Sequence, residues 1–450
     1  MIAEGWRGWL IAGLPIAVAA AMALSLAVLL PRYFAEPWHP GLPLRPLIAR
    51  LMKRGGEAGA TGPGRPVESG VGRPAAIVAG VLALFALSRL VVFGAAAWGL
   101  WQRGELAAML ANSRPYWARW DAPHYLGLIE NWYVTEGDPR FHIVFFPLYP
   151  LLARGLLPLC GGDSFAAATV LSNLCLAASG IGLYHLVAPQ QGRAAGWRAV
   201  KFLMFSPLTV FFSAPYTESL FLMLTIFAVL LARRKRFWAA ALVGALSAAT
   251  RVLGVLVAAA IFLEMLKDLA PRNLWPARRR RFFALLTARV LVAALVAAGF
   301  GAYLLLNWKV TGNPWQFEIY QREHWHQQMG SIWGTMRYTL ANALLDGDAF
   351  WRNGTWIPQA IAIALSAALM LGMSRSVYPG DGAYAWLYLV GALSPTWLLS
   401  GPRYIAAMYA LYPMLASLTK RQWLGEPLTA LTAIGAALGG YFYVVAGSLL

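Results

Sequence analysis

The sequence predicts an all-α, polytopic membrane protein, and its composition and charge pattern indicate this class. Of its 450 residues, 59% are hydrophobic and 12% are charged, whereas soluble domains average about 45–50% apolar and about 25% charged residues. The charged residues are grouped between apolar runs of about 20 residues, the length that crosses a bilayer as a helix. We therefore expect about twelve membrane helices, including short re-entrant hairpins.

The net charge of +18 does not indicate a nucleic-acid partner. In a membrane protein, lysine and arginine first set the topology, because cytoplasmic loops carry an excess of them. Their clustering between apolar runs favours that role. Cys160 and Cys175 provide neither a disulfide framework nor a metal-ligand spacing.

Residues 1–74 are expected to form one extra membrane helix and a basic linker. The apolar run at 10–30 is longer than a signal-peptide core of about 7–15 residues. We expect a retained helix, with a cleaved or misassigned start as the alternative. The linker at 31–74 is rich in glycine and proline and carries seven basic residues. It is therefore expected to be flexible, cytoplasmic and attracted to anionic membrane lipids.

The main membrane region is expected at 75–426, with a C-terminal membrane helix at 427–450. A helix at 75–101 runs outward and places 102–143, where acidic and basic residues are balanced, in a first external loop. The proline-broken run FFPLYPLL that starts at Phe145 predicts an interfacial or re-entrant helix. Residues 164–187 then return to the inside.

Two hairpins of short helices are expected between residues 199 and 265. Basic clusters recur at 193–201, 233–236 and 267–281, so the apolar intervals have only 31 and 30 residues. Two full spans need about 20 residues each. The hairpins would bend at 206–216 and near 250–251, and their tips would converge beneath the first external loop. The alternative is a set of full-length helices with one violation of the positive-inside rule.

The remaining chain predicts an outward helix at 284–306 and a second external loop at 307–356, which is rich in tryptophan and polar groups. Further spans are predicted at 357–373, 383–400, 404–419 and 427–448.

The stretch Tyr116–Leu152 is the polar, carboxylate-bearing passage of the first half. Its tryptophans and tyrosines are typical of an interfacial aromatic belt. A belt does not explain Asp121 and His124 among them, because ionisable groups beside hydrocarbon are costly unless water, a partner or a substrate compensates. Asp121 is therefore the leading candidate for a chemical role. His124, three residues later on a helical turn, is a candidate for orienting its carboxylate.

Arg251 and Arg403 are isolated arginines expected on the external side near membrane depth. The planar guanidinium fork suits phosphate, so both are candidates for binding a lipid phosphate. The alternatives for Arg251 are snorkelling or a pair with Glu264, and the alternative for Arg403 is a topology anchor. Glu218 is a supporting candidate, or only a charge placed at the positive end of a helix.

Several other reaction classes are not indicated. The sequence has no P-loop, no dinucleotide-binding glycine motif, no GxSxG and no HExxH. His324 and His326 lack obvious third and fourth metal ligands. Asp346 and Asp348 indicate a glycine-centred turn rather than a cation site. We expect no metal and no other cofactor.

Three groups of residues resemble the PIG-V family, which adds the second mannose in the assembly of GPI anchors, and its bacterial relatives. They are Trp120, Asp121, His124 and Tyr125 in a WDxxHY pattern; the runs FFPLYPLL at 145–152 and FSPLTVFFSAPYTESLF at 205–221; and Thr250, Arg251, Arg403, Tyr404 and Pro413. The resemblance covers about residues 80–420.

The resemblance implies a GT-C glycosyltransferase fold, with the catalytic acid in the first external loop. It implies transfer of a mannosyl residue, with inversion, from a polyprenyl-phosphate-mannose donor to a lipid-linked or glycan acceptor on the non-cytoplasmic face. The membrane would be the plasma or inner membrane in a bacterium and the ER membrane in a eukaryote. The implied roles are general base for Asp121, donor-phosphate binding for Arg251 and Arg403, and substrate binding or support for Trp120, His124, Tyr125, Tyr216, Glu218 and Tyr404.

Two departures from the family pattern leave questions open. Residues 1–74 have no counterpart, and Val252 and Leu253 follow Arg251 where relatives often have Ser-Asn, so the acceptor is not defined. A transporter or flippase of an amphipathic lipid or lipid-linked sugar is the main alternative. The first-loop acid has no second copy in the later half, which favours an enzyme. A non-catalytic subunit with the same fold also remains open.

Overall fold

The computed structural model describes residues 2–35, 73–269 and 279–445. These segments consist of helices connected by turns and loops. They also contain one isolated antiparallel β-bridge, between Met329 and Pro395. The first helix extends to Ala35, into the region predicted as linker, and the rest of that linker up to residue 72 lies outside the described residues. The end of the predicted C-terminal helix, 446–450, also lies outside them.

The first half of the chain carries the elements that surround the polar loop. Its helices are α1 (Ile2–Ala35), α2 (Pro74–Gln102), α3 (Leu106–Ala111), α4 (Arg114–Trp117), α5 (Ala122–Asn131), α6 (Leu148–Leu156), α7 (Ser164–Gln191), α8 (Arg193–Met204), α9 (Glu218–Arg233), α10 (Phe237–Ala248) and α11 (Val257–Leu269). Short 3-10 turns lie at Asp138–Val144, Leu157–Cys160, Thr209–Phe212 and Val252–Leu256.

The second half continues with ten more helices in the described residues. They are α12 (Arg279–Ala294), α13 (Ala297–Thr311), α14 (Gln316–Glu323), α15 (Ile332–Leu345), α16 (Ala349–Trp351), α17 (Ile357–Met373), α18 (Pro379–Ala392), α19 (Gly401–Ala406), α20 (Leu411–Leu418) and α21 (Gln422–Val445). A single π turn at Arg352–Trp356 joins α16 to α17.

The described residues contain several helices that could cross a membrane, but fewer than the sequence predicts. Five helices are long and apolar enough to cross a bilayer, or seven if each of two bent pairs counts as one span. A multi-pass membrane protein follows, whereas the expectation of about twelve spans is not confirmed. The predicted span at 404–419 is broken into the short helices α19 and α20, which end and begin on either side of residues 407–410.

The two predicted breaks between residues 199 and 265 lie where the sequence places them. Helices α8, α9, α10 and α11 have 12, 16, 12 and 13 residues, all below the about 20 residues of a full span. Non-helical backbone and 3-10 turns separate α8 from α9 at 205–217 and α10 from α11 at 249–256. Each break therefore places polar residues in non-helical backbone between two short helices.

The run FFPLYPLL bends sharply, as its prolines predict. The turn Asp138–Val144 and the helical segment Leu148–Cys160 meet at an angle of 111°. The Leu148 amide donates a hydrogen bond of 3.2 Å to the Ala249 carbonyl. This contact joins the end of the first polar loop to the break after α10.

Helix α21 packs against the first polar loop just before Asp121 and holds its backbone by hydrogen bonds. The Tyr443 hydroxyl donates to the Trp117 carbonyl at 2.8 Å, and Arg119 donates to the Val444 carbonyl at 3.3 Å. The Trp117 and Tyr443 rings are also stacked, with their centroids 5.7 Å apart. The last described helix therefore fixes the backbone just before Asp121.

A buried ion cluster lies at the far end of α9, about 22 Å of helix away from its first residue. Arg233 Nε is 3.1 Å from Glu264 Oε1, and Arg233 Nη2 is 2.5 Å from Asp381 Oδ1. The Tyr409 hydroxyl donates to the same Asp381 oxygen at 2.8 Å. Each charge has a partner, so this cluster ties α9, α11 and α18 together as a structural element.

Arg89, within the membrane helix α2, anchors the break between α8 and α9. It donates to the Thr209 carbonyl at 3.2 Å, to Thr209 Oγ1 at 2.6 Å and to the Ser213 hydroxyl. Among the described residues its hydrogen-bond acceptors are hydroxyl and carbonyl oxygens, and its guanidinium carbon lies 5.8 Å from the Phe85 ring centroid. The sequence interpretation missed it, although a charged residue inside an apolar span is itself a signal.

We expect Arg89→Met to destabilise the protein by an amount on the order of 3 kcal/mol, because several buried acceptors lose their donor at about 1–3 kcal/mol each. The measurement is the thermal unfolding midpoint in detergent. The matched control is Arg103→Met, since Arg103 is exposed and pairs with Glu105 at 3.0 Å. Equal midpoints for the two variants would contradict the anchoring role.

Candidate active site

Asp121 lies at the N-terminal end of α5, where the chain leaves an irregular turn and begins a helix. The preceding residue, Trp120, has φ of +48°, a left-handed conformation that is uncommon for a bulky residue. Its ring packs on Phe211 and Tyr443, with centroids 5.9 and 5.0 Å away. Such strain persists where surrounding packing enforces it, and it is often found at functional sites.

Arg403 is the partner of Asp121, although 282 positions separate them in the sequence. Arg403 Nη2 donates to Asp121 Oδ2 at 2.8 Å. The Arg403 side chain is 6% exposed and the Asp121 side chain is 35% exposed. The carboxylate is therefore the accessible member of the pair, and the guanidinium lies behind it.

Glu218 joins this pair to the second arginine. It is the first residue of α9, directly after the break, and its side chain is 1% exposed. Its Oε1 atom is 2.5 Å from Arg251 Nη1 and 3.0 Å from Arg403 Nε. The order Asp121, Arg403, Glu218, Arg251 is thus a chain of alternating charges, which we call the four-charge cluster.

Aromatic rings enclose the two guanidinium groups. The Arg403 guanidinium carbon lies 5.0 Å from the Tyr216 ring centroid and 5.5 Å from that of Tyr404. The Arg251 guanidinium carbon lies 4.7 Å from the Tyr404 centroid. The Tyr216 hydroxyl donates to the Arg119 carbonyl at 2.6 Å, which fixes this ring beneath the first loop. The rings exclude water and attract the cations.

The structure bears on the structural alternatives for the two arginines. The pair between Arg251 and Glu264 is wrong, because Glu264 binds Arg233 at the other end of α9 while Arg251 binds Glu218. Arg403 is buried and ion-paired, which does not fit a topology anchor at the headgroups. Glu218 lies in the first turn of α9 but bonds two arginines instead of acting only on the helix dipole.

Tyr125 and His124 follow Asp121 on α5 and line the back of the site. Tyr125 is buried against Tyr149 and Tyr216, with ring centroids 5.5 and 6.5 Å away. His124 Nδ1 lies 3.1 Å from His142 Nε2, so one imidazole donates and the other accepts. The orienting contact on the Asp121 carboxylate comes from Arg403 instead of His124. The sequence interpretation missed His142.

His124 gives a pH dependence of stability. Burial lowers the pKa of His124 below its usual value of 6.5, while Asp121 opposes and His324 adds to this change. The unfolded chain therefore binds more protons below pH of about 6.5, and stability falls as the pH drops through that window. We expect His124→Gln to lose less stability than the wild type between pH 7 and pH 5 in thermal unfolding. Identical slopes for the two proteins would contradict this origin.

The second predicted loop contributes structure around the site. His324 stacks on Phe141, with centroids 4.1 Å apart, and Trp325 lies 6.3 Å from the His124 ring. Asp346 accepts from the Asp348 amide at 2.9 Å and from Trp356 Nε1 at 3.1 Å. The Asp346 contacts are those of a polar turn, as the sequence favoured.

Residues 106–311 match the family model described as Mannosyltransferase (PIG-V). This confirms the resemblance to the PIG-V family. The match includes Asp121, Glu218 and Arg251 of the four-charge cluster, whereas Arg403 lies beyond it. It is also shorter than the stretch of about 80–420 that the resemblance in sequence motifs covers.

Individual relatives agree with the PIG-V match. The GPI alpha-1,6-mannosyltransferase 2 of Mus musculus is 35% identical over 152 residues, which are 31% of this chain and 29% of that protein. The protein of the same name from Rattus norvegicus is 34% identical over 152 residues, with the same shares. The matched stretch is thus less than a third of either relative.

Solved structures of an archaeal enzyme also resemble this chain. The apo crystal structure of the Archaeoglobus fulgidus oligosaccharyltransferase has a TM-score of 0.42 at 13% identity, covering 82% of this chain and 56% of that chain. Its complex with an inhibitory peptide and a dolichol-phosphate has a TM-score of 0.40 at 13% identity, with the same coverage.

Proposed function

We propose that the protein is a GT-C membrane mannosyltransferase that takes mannose from a polyprenyl-phosphate donor and transfers it, with inversion, to a lipid-linked or glycan acceptor. The observation that carries the proposal is the four-charge cluster, in which one accessible carboxylate lies in front of the buried Arg403 and the largely buried Arg251. The PIG-V match over residues 106–311 supports the sugar and the reaction class.

The chemistry of such a donor assigns the roles. A sugar on a lipid phosphate already carries a good leaving group, so the enzyme must hold the phosphate, align the acceptor hydroxyl and remove its proton. Asp121 acts as the general base. Arg403 and Arg251 stabilise the charge that develops on the departing phosphate. The enclosing rings of Tyr216 and Tyr404 keep water away and strengthen this attraction.

The acceptor approaches from the non-cytoplasmic side in this proposal. The charge pattern of the sequence supports that placement, because the loop that carries Asp121 has no basic excess. In this proposal, the side chains of Trp120, His124 and Tyr125 line the part of the site where the donor and the acceptor bind. The two arginines supply the positive charge, so we expect transfer to persist in excess EDTA.

The test is transfer of radiolabelled mannose from polyprenyl-phosphate-mannose in proteoliposomes that contain a crude lipid extract. We expect label to appear in a lipid or glycan product, whose identity reveals the acceptor. No label in any product, with a verified donor and a broad range of acceptors, would reject the proposal. Movement of intact donor across the bilayer in the same vesicles would then favour a flippase.

A further inference from the structure

Arg403 is shared between two carboxylates that have different surroundings. Its Nη2 atom donates to Asp121 at 2.8 Å, and its Nε atom lies 3.0 Å from Glu218. The Asp121 side chain is 35% exposed, whereas that of Glu218 is 1% exposed. A substrate can therefore reach and replace the contact with Asp121, but not the contact with Glu218.

Three buried atoms of this cluster have no hydrogen-bond partner among the described residues. They are Nη1 and Nε of Arg403 and Oε2 of Glu218. Of these, Nε is within ion-pair distance of Glu218 Oε1, at 3.0 Å, whereas Nη1 has no anionic neighbour of that kind in the described part of the chain. A buried guanidinium nitrogen without an acceptor is costly, and a bound oxygen would relieve that cost. An anionic oxygen placed at Nη1 would also lie beside the Nη2 atom that now binds Asp121.

The donor carries the same charge as the Asp121 carboxylate, so it can replace that carboxylate beside Arg403 without changing the net charge there. Asp121 and Glu218 balance Arg251 and Arg403, so the cluster of four is neutral. A polyprenyl-phosphate sugar is a phosphodiester with one negative charge. If it takes the place of Asp121 on Arg403, the phosphate, Glu218 and the two arginines are neutral, and the Asp121 carboxylate is left without its cation.

We propose that Arg403 exchanges partners during the reaction: the donor phosphate takes it from Asp121, while Glu218 holds it in place. This inference rests on the function proposed above and specifies the order of its steps. In the donor-free protein Arg403 Nη2 occupies the Asp121 Oδ2 atom at 2.8 Å, so this oxygen is not free to bind an acceptor hydroxyl. Donor binding releases it, so the base becomes active only when there is a sugar to transfer.

The proton and charge balance of transfer fits this exchange. The acceptor oxygen forms a bond to the sugar carbon, and the bond between that carbon and the phosphate oxygen breaks. The acceptor proton moves to Asp121, which loses its negative charge, and the lipid phosphate gains one. Negative charge thus moves from Asp121 to the phosphate that Arg403 already binds, and Arg403 keeps its contact with Glu218 throughout.

The test is a double-mutant cycle on binding of farnesyl phosphate, measured by calorimetry in detergent. We expect Asp121→Asn to bind it about tenfold more tightly than the wild type, as for groups in direct contact, because the phosphate no longer competes for Arg403. The gain should vanish when Arg403→Lys is also present, since lysine lacks the fork that serves two partners. If the Arg403→Lys variant does not fold, Arg403→Gln is used in its place in the cycle.

Two controls separate this exchange from general electrostatics. Glu105→Gln removes a carboxylate of the same loop that is paired with Arg103 at 3.0 Å, and it should leave the affinity unchanged. Farnesol, which lacks the phosphate, should bind the wild type and Asp121→Asn equally.

The outcomes distinguish this inference from the proposed function. Equal or weaker binding of farnesyl phosphate by Asp121→Asn, or a gain that persists without Arg403, would overturn the exchange even if the wild type transfers mannose. Absence of mannose transfer by the wild type would reject the function itself.

Discussion

Replacing Asp121 with asparagine is expected to lower mannose transfer by about 10²–10⁴-fold, the usual contribution of a general base. Asparagine keeps the shape and one acceptor oxygen but cannot take a proton. Because the Asp121 side chain is 35% exposed and lies at the front of the cluster, the fold should tolerate the change. The measurement is the initial rate of label transfer at saturating donor.

The control for this prediction is Glu105→Gln, which changes another carboxylate–arginine pair of the same loop. Its rate should equal that of the wild type. A monodisperse Asp121→Asn protein with wild-type transfer would remove Asp121 as the base.

Replacing Arg403 with lysine is expected to lower transfer by about 10²–10³-fold, as for loss of one electrostatic donor in an active site. Lysine keeps the positive charge but offers a point charge instead of a planar fork. It cannot bind Glu218 and a second partner, first Asp121 and then the phosphate, with separate nitrogens of one plane. The initial rate should fall strongly while the thermal unfolding midpoint changes little, because Glu218 retains its contact with Arg251 at 2.5 Å.

Arg103→Lys is the matched control for this change, because Arg103 also pairs with a glutamate but is exposed. The comparison uses initial rates together with thermal unfolding midpoints. A wild-type rate for Arg403→Lys would show that the fork is not needed. A midpoint collapse with a normal specific rate would assign Arg403 a structural role.

The long helices and the breaks between them were predictable because their signals are local. Helix α2 begins at Pro74 and α17 ends at Met373, close to the apolar runs at 75–101 and 357–373. The spacing of basic clusters placed the breaks near Tyr216 and Arg251, because two full spans do not fit between them. Apolar length does not reveal a helix broken at its middle, so 404–419 was predicted as one span.

The members of the candidate site were predictable, but their pairing was not. Asp121 was found because a carboxylate in an aromatic belt is unusual. Its contact with Arg403 spans 282 positions, and Arg251 and Glu218 lie 33 apart across two helices. No periodicity in one sequence encodes such contacts. Arg89 was missed although its place inside an apolar span is a signal; its hydroxyl and carbonyl partners add no charge pattern to that signal.

A structure of the protein with bound decaprenyl phosphate, determined by electron cryomicroscopy in nanodiscs, tests the central claim most directly. We predict phosphate oxygens within hydrogen-bond distance of Arg403 Nη1 and near Arg251, with the contact between Arg403 and Asp121 opened and the contact with Glu218 kept. Phosphate bound elsewhere, with the pair of Asp121 and Arg403 intact at 2.8 Å, would contradict the account.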